Sequence, residues 1–285
     1  MKLSARVVGV SSDNSMITEA RRGEARRGVG TTERRHGYGG RMGTYAAVVL
    51  AGGAARRMGG LDKPALPVGG RSMRDRVLAA VSDATPRVLV GAADAVPSGV
   101  RVVQEDPPGG GPVAAAAAGL ALLGPDVSVV ALLAADLPLL TRAAIGELLN
   151  HLEPETSDTE PAGGRSAPAP PAHSGSAPVP PAGSGLAPAP PAHSGLDGER
   201  GPDGACFVDG DGRRQSLCGV WRVAALRAAV QRLTVERGGS LSGAPVRALL
   251  AGLVVREVAW SGEGPPPWFD CDTDEDVRRA EEWAR

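Results

Sequence analysis

The sequence predicts a three-layer α/β domain, in which helices cover both faces of a mostly parallel, twisted sheet. Short apolar runs typical of buried strands recur between residues 46 and 258. Segments with helical periodicity separate most of these runs, and such alternation favours a right-handed, doubly wound sheet. Glycine-rich or acidic turns follow several runs, at the edge of the sheet where open α/β folds bind their ligands.

The composition is that of a globular domain with an added low-complexity segment. The chain has 285 residues and 42% of them are apolar, which suffices for a sizeable core. It also has 40 glycines and 25 prolines but only 3% aromatic residues, so part of it is not expected to fold. The formal net charge of −1 gives no support for nucleic-acid or membrane partners, and no apolar run is long enough to cross a membrane. We expect a cytoplasmic protein.

Residues 1–43 are rich in arginine and poor in apolar periodicity. We predict a disordered basic N-terminal extension ahead of a folded domain over 44–285; the alternative is an arm that binds nucleic acid. Met42 stands four residues before the first strand, and we interpret it as the true start. An N-terminal peptide of the native protein from upstream of Met42 would contradict this interpretation.

The first strand, 46–50, runs into a loop that combines glycines with basic residues. Residues 46–63 have the sequence AAVVLAGGAARRMGGLDK. Glycines let backbone N–H groups approach an anion, an arginine offers a planar fork of donors, and a lysine offers a mobile charge. We therefore predict a polyphosphate-binding loop; the alternative is a glycine-rich turn with solvated arginines. The loop is neither a P-loop, since Lys63 is followed by Pro64, nor a G-x-G-x-x-G fingerprint.

The next elements alternate as this fold class requires. Residues 64–70 form a short extended piece and a turn, and Ser72 is suited to cap the helix that follows. The apolar runs 87–90 and 100–103 are predicted as the second and third parallel strands.

The third strand ends in Gln104-Glu105-Asp106, followed by glycines and prolines that begin an alanine-rich helix over 113–122. Backbone N–H groups at such a helix N-terminus can bind a base edge or a phosphate. The alternative is a turn that only caps the helix.

Residues 127–134 form the most apolar run and are predicted as the central strand, which ends near Asp136. A carboxylate just past a buried parallel strand faces the ligand crevice. Opposite a triphosphate it would hold Mg²⁺ together with phosphate oxygens and waters. The alternative is a turn or N-cap aspartate, because Leu-Pro follows.

A helix from Thr141 to about residue 151 precedes an abrupt change in composition. Residues 153–204 hold twelve of the prolines, and 166–195 are three tandem ten-residue repeats. With nothing to bury, such a polyproline-biased segment remains disordered. We predict a disordered Pro/Ala-rich insert that loops out of a single domain; the alternative is a segment that binds a partner.

The C-terminal part is predicted to complete the sheet. Its elements are strands at 205–209, 214–221 and 253–258, helices near 222–235 and 242–250, and a terminal amphipathic helix that begins within 268–276. The aspartates in that last segment are either ligands or charges favoured by the helix dipole.

Three motifs stand in a fixed order: LAGG with Arg-Met-Gly and Asp-Lys within 50–63, AADLP at 134–138, and Asp-Thr-x-Glu-Asp at 272–276. In these motifs the chain resembles the MobA-like nucleotidyltransferases. The resemblance implies a Rossmann-like nucleotidyltransferase fold of the nucleotide-diphospho-sugar transferase type. It also implies Mg²⁺-dependent transfer of GMP from GTP to the phosphate of molybdopterin, with release of pyrophosphate. Transient contact with other proteins of molybdenum cofactor biosynthesis is implied as well.

The resemblance assigns the first loop to the nucleotide. The residues around the NTP would be Leu50, Ala51, Gly52, Gly53, Arg57 and Lys63. Arg57 and Lys63 would be catalytic, because they offset charge on the triphosphate and on the leaving pyrophosphate.

The resemblance assigns the later motifs to the base, the ribose and the metal. Asp106 and Gly111 match the residues that contact the base and ribose end, although two neighbouring family residues, a leucine and a glycine, are replaced here. Asp136 would contact the nucleotide and bind Mg²⁺ together with Asp272, which stands in place of a family asparagine; Asp270 is the second choice.

The substrates are less well defined than the reaction. The family commonly places an asparagine at the end of the second strand, whereas here Gly91 follows, so guanine specificity rests on the resemblance. The alternatives are a cytidylyltransferase, a sugar- or polyol-phosphate nucleotidyltransferase, or a non-catalytic nucleotide-binding scaffold that docks a partner through its insert. In the family the segment 214–221 faces the acceptor, which makes Arg214 and Gln215 candidates; the alternative is an edge strand with polar residues facing solvent.

Overall fold

The computed structural model describes residues 6–7, 44–52, 63–93, 95–152 and 201–285. Most of the predicted N-terminal extension and residues 153–200 of the predicted insert lie outside these ranges. The prediction of disorder for them therefore remains a prediction.

The described residues form one mixed sheet and a small hairpin. The strands are β1 (Arg6–Val7), β2 (Ala46–Leu50), β3 (Pro67–Val68), β4 (Arg71–Ser72), β5 (Arg87–Val90), β6 (Val100–Gln104), β7 (Val129–Ala134), β8 (Gly204–Val208), β9 (Arg214–Arg222) and β10 (Val255–Ala259). The sheet order is β1-β6-β5-β2-β7-β9-β8-β10, and β3 pairs with β4. Neighbours pair in parallel except at β1–β6, β7–β9 and β8–β9. The predicted mostly parallel sheet is thus confirmed.

Helices cover both faces of the sheet and give the three predicted layers. They are α1 (Met73–Ala80), α2 (Pro112–Ala121), α3 (Arg142–Asn150), α4 (Val223–Glu236), α5 (Val246–Leu249) and α6 (Asp274–Trp283). Alternate residues of β2 point to opposite sides: Val48 packs with α2, α4 and α5, whereas Val49 packs with α1 and α3. The sheet is therefore buried between two apolar layers. No helix in these described ranges combines the length and apolar character needed to span a bilayer.

Three boundaries differ from the sequence prediction. Arg6–Val7 pairs antiparallel with the edge of β6, within the stretch predicted to be a disordered extension. Residues 201–204 belong to the fold rather than to the insert, because the N–H of Asp203 donates to the carbonyl of Val254 at 2.7 Å and Gly204 begins β8. The helix predicted over 242–250 is a single turn, since the N–H of Gly243 is bonded to the carbonyl of Gly110 and not within a helix.

Candidate active site

The carboxyl ends of β2 and β7 open into a cavity of about 530 Å³, a size typical of small-molecule sites. Its walls come from six parts of the chain: the end of β2, the turn at Lys63 and Pro64, the start of α2 at Pro112, the end of β7, the first half of β9 and the segment before α6. The lining residues include Leu50, Ala51, Gly52, Lys63, Ala134, Asp136, Gln215, Leu217, Cys218, Trp268, Asp270 and Asp272. The cavity therefore lies where an open α/β sheet binds its ligand.

Lys63 joins two of the predicted site residues on the lining of this cavity. Its Nζ donates to Oδ2 of Asp136 at 2.8 Å and to Oδ1 of Asp272 at 2.7 Å. The Lys63 residue is 9% exposed. Burial alone would lower its pKa, but the hydrogen bonds and charges of Asp136 and Asp272 outweigh burial and raise the pKa above its ordinary value. Lys63 is therefore a fixed cation in this cavity.

The two contacts of Lys63 differ in strength. The Asp136 side chain is 25% exposed, whereas that of Asp272 is 74% exposed. Solvent screens an ion pair with an exposed partner. The pair with Asp136 is therefore the stronger one, and the pair with Asp272 is the more easily exchanged.

Carboxylates outnumber cations among the described residues that line the cavity. Asp270 is the third carboxylate, and its pKa is raised first by partial burial and then by the negative charges of Asp272 and Asp136. Lys63 is the one lysine or arginine in the described lining. This excess of negative charge favours the entry of a cation.

The donor set fits a magnesium ion that is held mainly by its substrate. Oxygens of Asp136 and Asp272 converge on one point, which the ammonium of Lys63 now contacts. In the described ranges, no three His, Cys, Asp or Glu residues are grouped as a metal site. Mg²⁺ commonly takes one or two carboxylates and completes its shell with phosphate oxygens and waters.

The segment before α6 is pinned to the sheet on both sides of Asp272. The N–H of Cys271, which is fully buried, donates to the carbonyl of Asp136 at 3.3 Å. Thr273 caps α6 in a reciprocal capping box with Asp276, and Ala280 of α6 packs in a small apolar cluster with the β3–β4 hairpin. These contacts bring the C-terminal segment to the first loop.

The loop after β2 lies against the end of β5. The N–H of Ala51 donates to the carbonyl of Val90 at 2.8 Å. Gly91 has φ +133°, and a Cβ at this position would lie 2.9 Å from the backbone nitrogen of Gly52. A side chain at this position would therefore meet the backbone of the first loop, which favours glycine here. Gly53 and Arg57 of the same loop lie outside the described residues.

The acidic pair after β6 is oriented differently from the sequence prediction. Asp106 is exposed and lies beside a separate cleft of about 130 Å³ formed by α2 and residues 239–242. Glu105 is instead 4% exposed: its Oε1 accepts the N–H of Gly109, and a Cβ on Gly52 would lie 3.4 Å from that oxygen. The strand period of two, which buries Val103 and exposes the next residue, could have identified Glu105 as the inward carboxylate. Gly111 immediately precedes Pro112, which lines the main cavity.

β9 lies between β7 and β8, so the expectation of an edge strand is wrong for the strand as a whole. Residues 218–222 pair with β7 on one side, whereas Arg214, at the start of β9, pairs with Val208 of β8 and lies outside the register with β7. Gln215 lines the cavity, and its Nε2 donates to Oδ2 of Asp209 at 3.1 Å. Arg214 is exposed and pairs instead with Glu257 at 2.7 Å.

Sequence reasoning missed one large residue of the site, Trp268. Its ring lies 5.2 Å from that of Phe207, tilted by 34°, and Phe207 in turn meets Trp260 edge to face at 5.5 Å. Trp268 stands two positions before Asp270 in a proline-rich stretch. No periodic pattern there could indicate which way its side chain points.

The fold and the cavity define a class: an open α/β domain with a cavity at the carboxyl ends of its central strands, lined by a buried lysine and by carboxylates. Residues 47–182 match the family model described as the MobA-like NTP transferase domain.

Two curated proteins are similar to parts of this chain. A probable molybdenum cofactor guanylyltransferase of Haloferax mediterranei is 31% identical over 117 residues, which are 38% of this chain and 55% of that protein. A molybdenum cofactor guanylyltransferase of Acidiphilium cryptum is 51% identical over 47 residues, which are 16% of this chain and 24% of that protein. The chain thus spans about half or less of the curated relatives it matches.

The fold is also found in a solved structure. The Rv0371c homologue of Mycobacterium sp. strain JC1 has a TM-score of 0.51 at 19% identity, over 84% of this chain and 96% of that one. The predicted three-layer α/β fold with a mostly parallel sheet is confirmed.

Proposed function

We propose that this protein is a cytoplasmic nucleotidyltransferase that moves GMP from GTP to the phosphate of a molybdopterin-type acceptor and requires Mg²⁺. The observation that carries the proposal is the convergence of Lys63, Asp136 and Asp272 on the lining of one cavity. The names of the two curated relatives support the donor and acceptor.

The reaction needs no nucleophilic side chain. An oxygen of the acceptor phosphate forms a bond to the α-phosphorus of GTP, and the bond from that phosphorus to the bridging oxygen of pyrophosphate breaks. The nearby thiols do not compete, because burial raises the pKa of Cys271 to about 12 and raises that of Cys218 as well. Both are protonated at neutral pH. Catalysis therefore rests on positioning and on charge.

Lys63 and the residues around it supply the charge. Lys63 exchanges its exposed partner Asp272 for oxygens of the triphosphate, and it offsets the negative charge that develops on the leaving pyrophosphate. Arg57 has the same role in the first loop. The backbone of the first loop at Gly52 and the segment at Gly111 hold the nucleotide, while Glu105 lies closer to the first loop than Asp106 does.

Asp136 and Asp272 would hold the Mg²⁺ ion, whose chemistry is to neutralise and orient the phosphate oxygens. Both carboxylates are already directed at one cation in this structure.

The proposal is tested by following pyrophosphate release from GTP, CTP, ATP and UTP with Mg²⁺ and molybdopterin. Release that depends on the acceptor and is fastest with GTP is expected. Preference for CTP would favour cytidylyl transfer to the same acceptor, a second candidate that the absence of a base-recognising side chain at Gly91 keeps open. Nucleotide binding without any release would favour the non-catalytic scaffold.

A further inference from the structure

We propose that Trp268 is the platform on which the acceptor stacks a flat heteroaromatic ring. This inference rests on the proposed function, because it assigns the acceptor to the part of the cavity that the nucleotide leaves free. It names the acceptor as a pterin-like ring with a phosphorylated side chain and not a sugar or polyol phosphate.

The topology separates the two ends of the cavity. The nucleotide loop follows β2, and its neighbours Gly91 and Glu105 lie on the β5 and β6 side of it. Gln215 and Leu217 belong to β9, which lies on the other side of β7. Trp268 lines the cavity together with these β9 residues. Lys63 and Asp136, where the phosphates meet, stand between the two ends.

The Trp268 ring is supported from behind. It is partly exposed, whereas Phe207, the ring it packs against, is fully buried in β8. Trp260 fixes Phe207 from its edge at 5.5 Å. A rigid aromatic surface of this kind loses little conformational freedom when a ligand packs on it.

The chemistry at this end suits a ring with a polar edge. Stacking of a heteroaromatic ring on an aromatic side chain contributes to affinity in nucleic-acid complexes. Asp270 and Gln215, on the same lining, add a carboxylate and an amide that can meet ring N–H groups and carbonyls. A sugar or polyol phosphate could hydrogen-bond to Asp270 and Gln215, but it has no ring that could stack on the indole of Trp268.

The test compares two probes on the full chain with Mg²⁺ and a non-cleavable GTP analogue. Neopterin monophosphate carries a pterin and a phosphate; ribitol 5-phosphate carries a phosphate but no ring. Calorimetry gives their Kd values for the wild type, Trp268→Leu, Trp268→Phe and the matched control Trp283→Leu, whose indole lies in α6 outside the cavity lining.

Trp268→Leu is expected to raise the Kd of the pterin probe about tenfold or more, while Trp268→Phe keeps most of the affinity. Trp283→Leu should leave the Kd of the pterin probe unchanged. The Kd of the GTP analogue should be the same in all the variants. The pterin probe should also quench indole fluorescence in the wild type and lose that quenching in Trp268→Phe, a result independent of whether the leucine variant folds.

Equal pterin affinity in Trp268→Leu and wild type, or equal affinity of the wild type for both probes, would overturn the inference. These failures are distinct from failure of the proposed function. If the GTP analogue does not bind or GTP releases no pyrophosphate, the function itself fails; if transfer proceeds with an unchanged acceptor KM in Trp268→Leu, only the platform is refuted.

Discussion

The Nζ of Lys63 lies 2.7 Å from Oδ1 of Asp272, although 209 positions separate the two residues in the chain. The same nitrogen lies 2.8 Å from Asp136, at the end of β7. Three distant segments thus share one ammonium group. The site exists only when the sheet, the first loop and the segment before α6 are all folded.

Removal of this ammonium should abolish most of the activity. In Lys63→Met we expect pyrophosphate release to fall about 10²–10³-fold, the range found when one transition-state donor is removed. Arg278→Ala is the control, because Arg278 forms an exposed pair with Glu275 on α6. Full activity in Lys63→Met would show that the proposed role is incorrect.

Loss of the carboxylate of Asp136 or of Asp272 should first change how the reaction rate depends on the Mg²⁺ concentration. We expect Asp136→Asn and Asp272→Asn to raise the Mg²⁺ concentration for half-maximal rate about tenfold or more, with the larger effect at the less exposed Asp136. Magnesium titrations of the initial rate measure this shift. Asp274→Asn, two positions beyond Asp272, is the control; an equal shift there would point to general electrostatics.

A side chain at Gly91 should disturb the nucleotide loop. In Gly91→Ala the new Cβ would lie 2.9 Å from the nitrogen of Gly52, at a backbone φ of +133°. We expect a loss of unfolding free energy of about 1–3 kcal/mol and weaker GTP binding. Gly70 also has a positive φ, but a Cβ there would meet open space. Gly70→Ala therefore measures the cost of a positive φ without a steric contact. Equal unfolding free energy and equal GTP affinity in the two variants would argue against a clash between a Cβ at position 91 and the nitrogen of Gly52.

The capping box of α6 should give a pH-dependent stability. The hydrogen bond from the Thr273 side chain, together with backbone N–H groups, lowers the pKa of Asp276 below its ordinary value. A lowered carboxyl pKa stabilises the folded state above the unfolded-state pKa of about 3.9, and this stabilisation is lost as pH falls through the folded-state pKa.

Urea unfolding of Asp276→Asn should therefore show an unfolding free energy lower by about 0.3–1 kcal/mol at neutral pH. This deficit should shrink in acid. Glu281→Gln, later in the same helix, serves as the comparison. A deficit that stays constant down to the acid range would contradict the assigned charge effect.

The local chemistry of the first loop, of Asp136 and of Asp272 could be predicted from the sequence, because each follows or precedes a recognisable element. The inward orientation of Glu105 was also encoded, in the alternation along β6, but the resemblance favoured its neighbour Asp106. The place of β9 inside the sheet could not be predicted, since polar residues at 214 and 215 are equally compatible with an edge.

The sequence by itself determined the class of fold, the order of its strands and helices and the residue types suited to a phosphate and a cation. These follow from periodicity and from turn chemistry, which act over a few residues. Only the tertiary structure decided that Lys63 joins Asp136 and Asp272, that Gly91 excludes a side chain, and that Trp268 faces the cavity. Such contacts depend on how strands far apart in the chain pair and on what packs behind them.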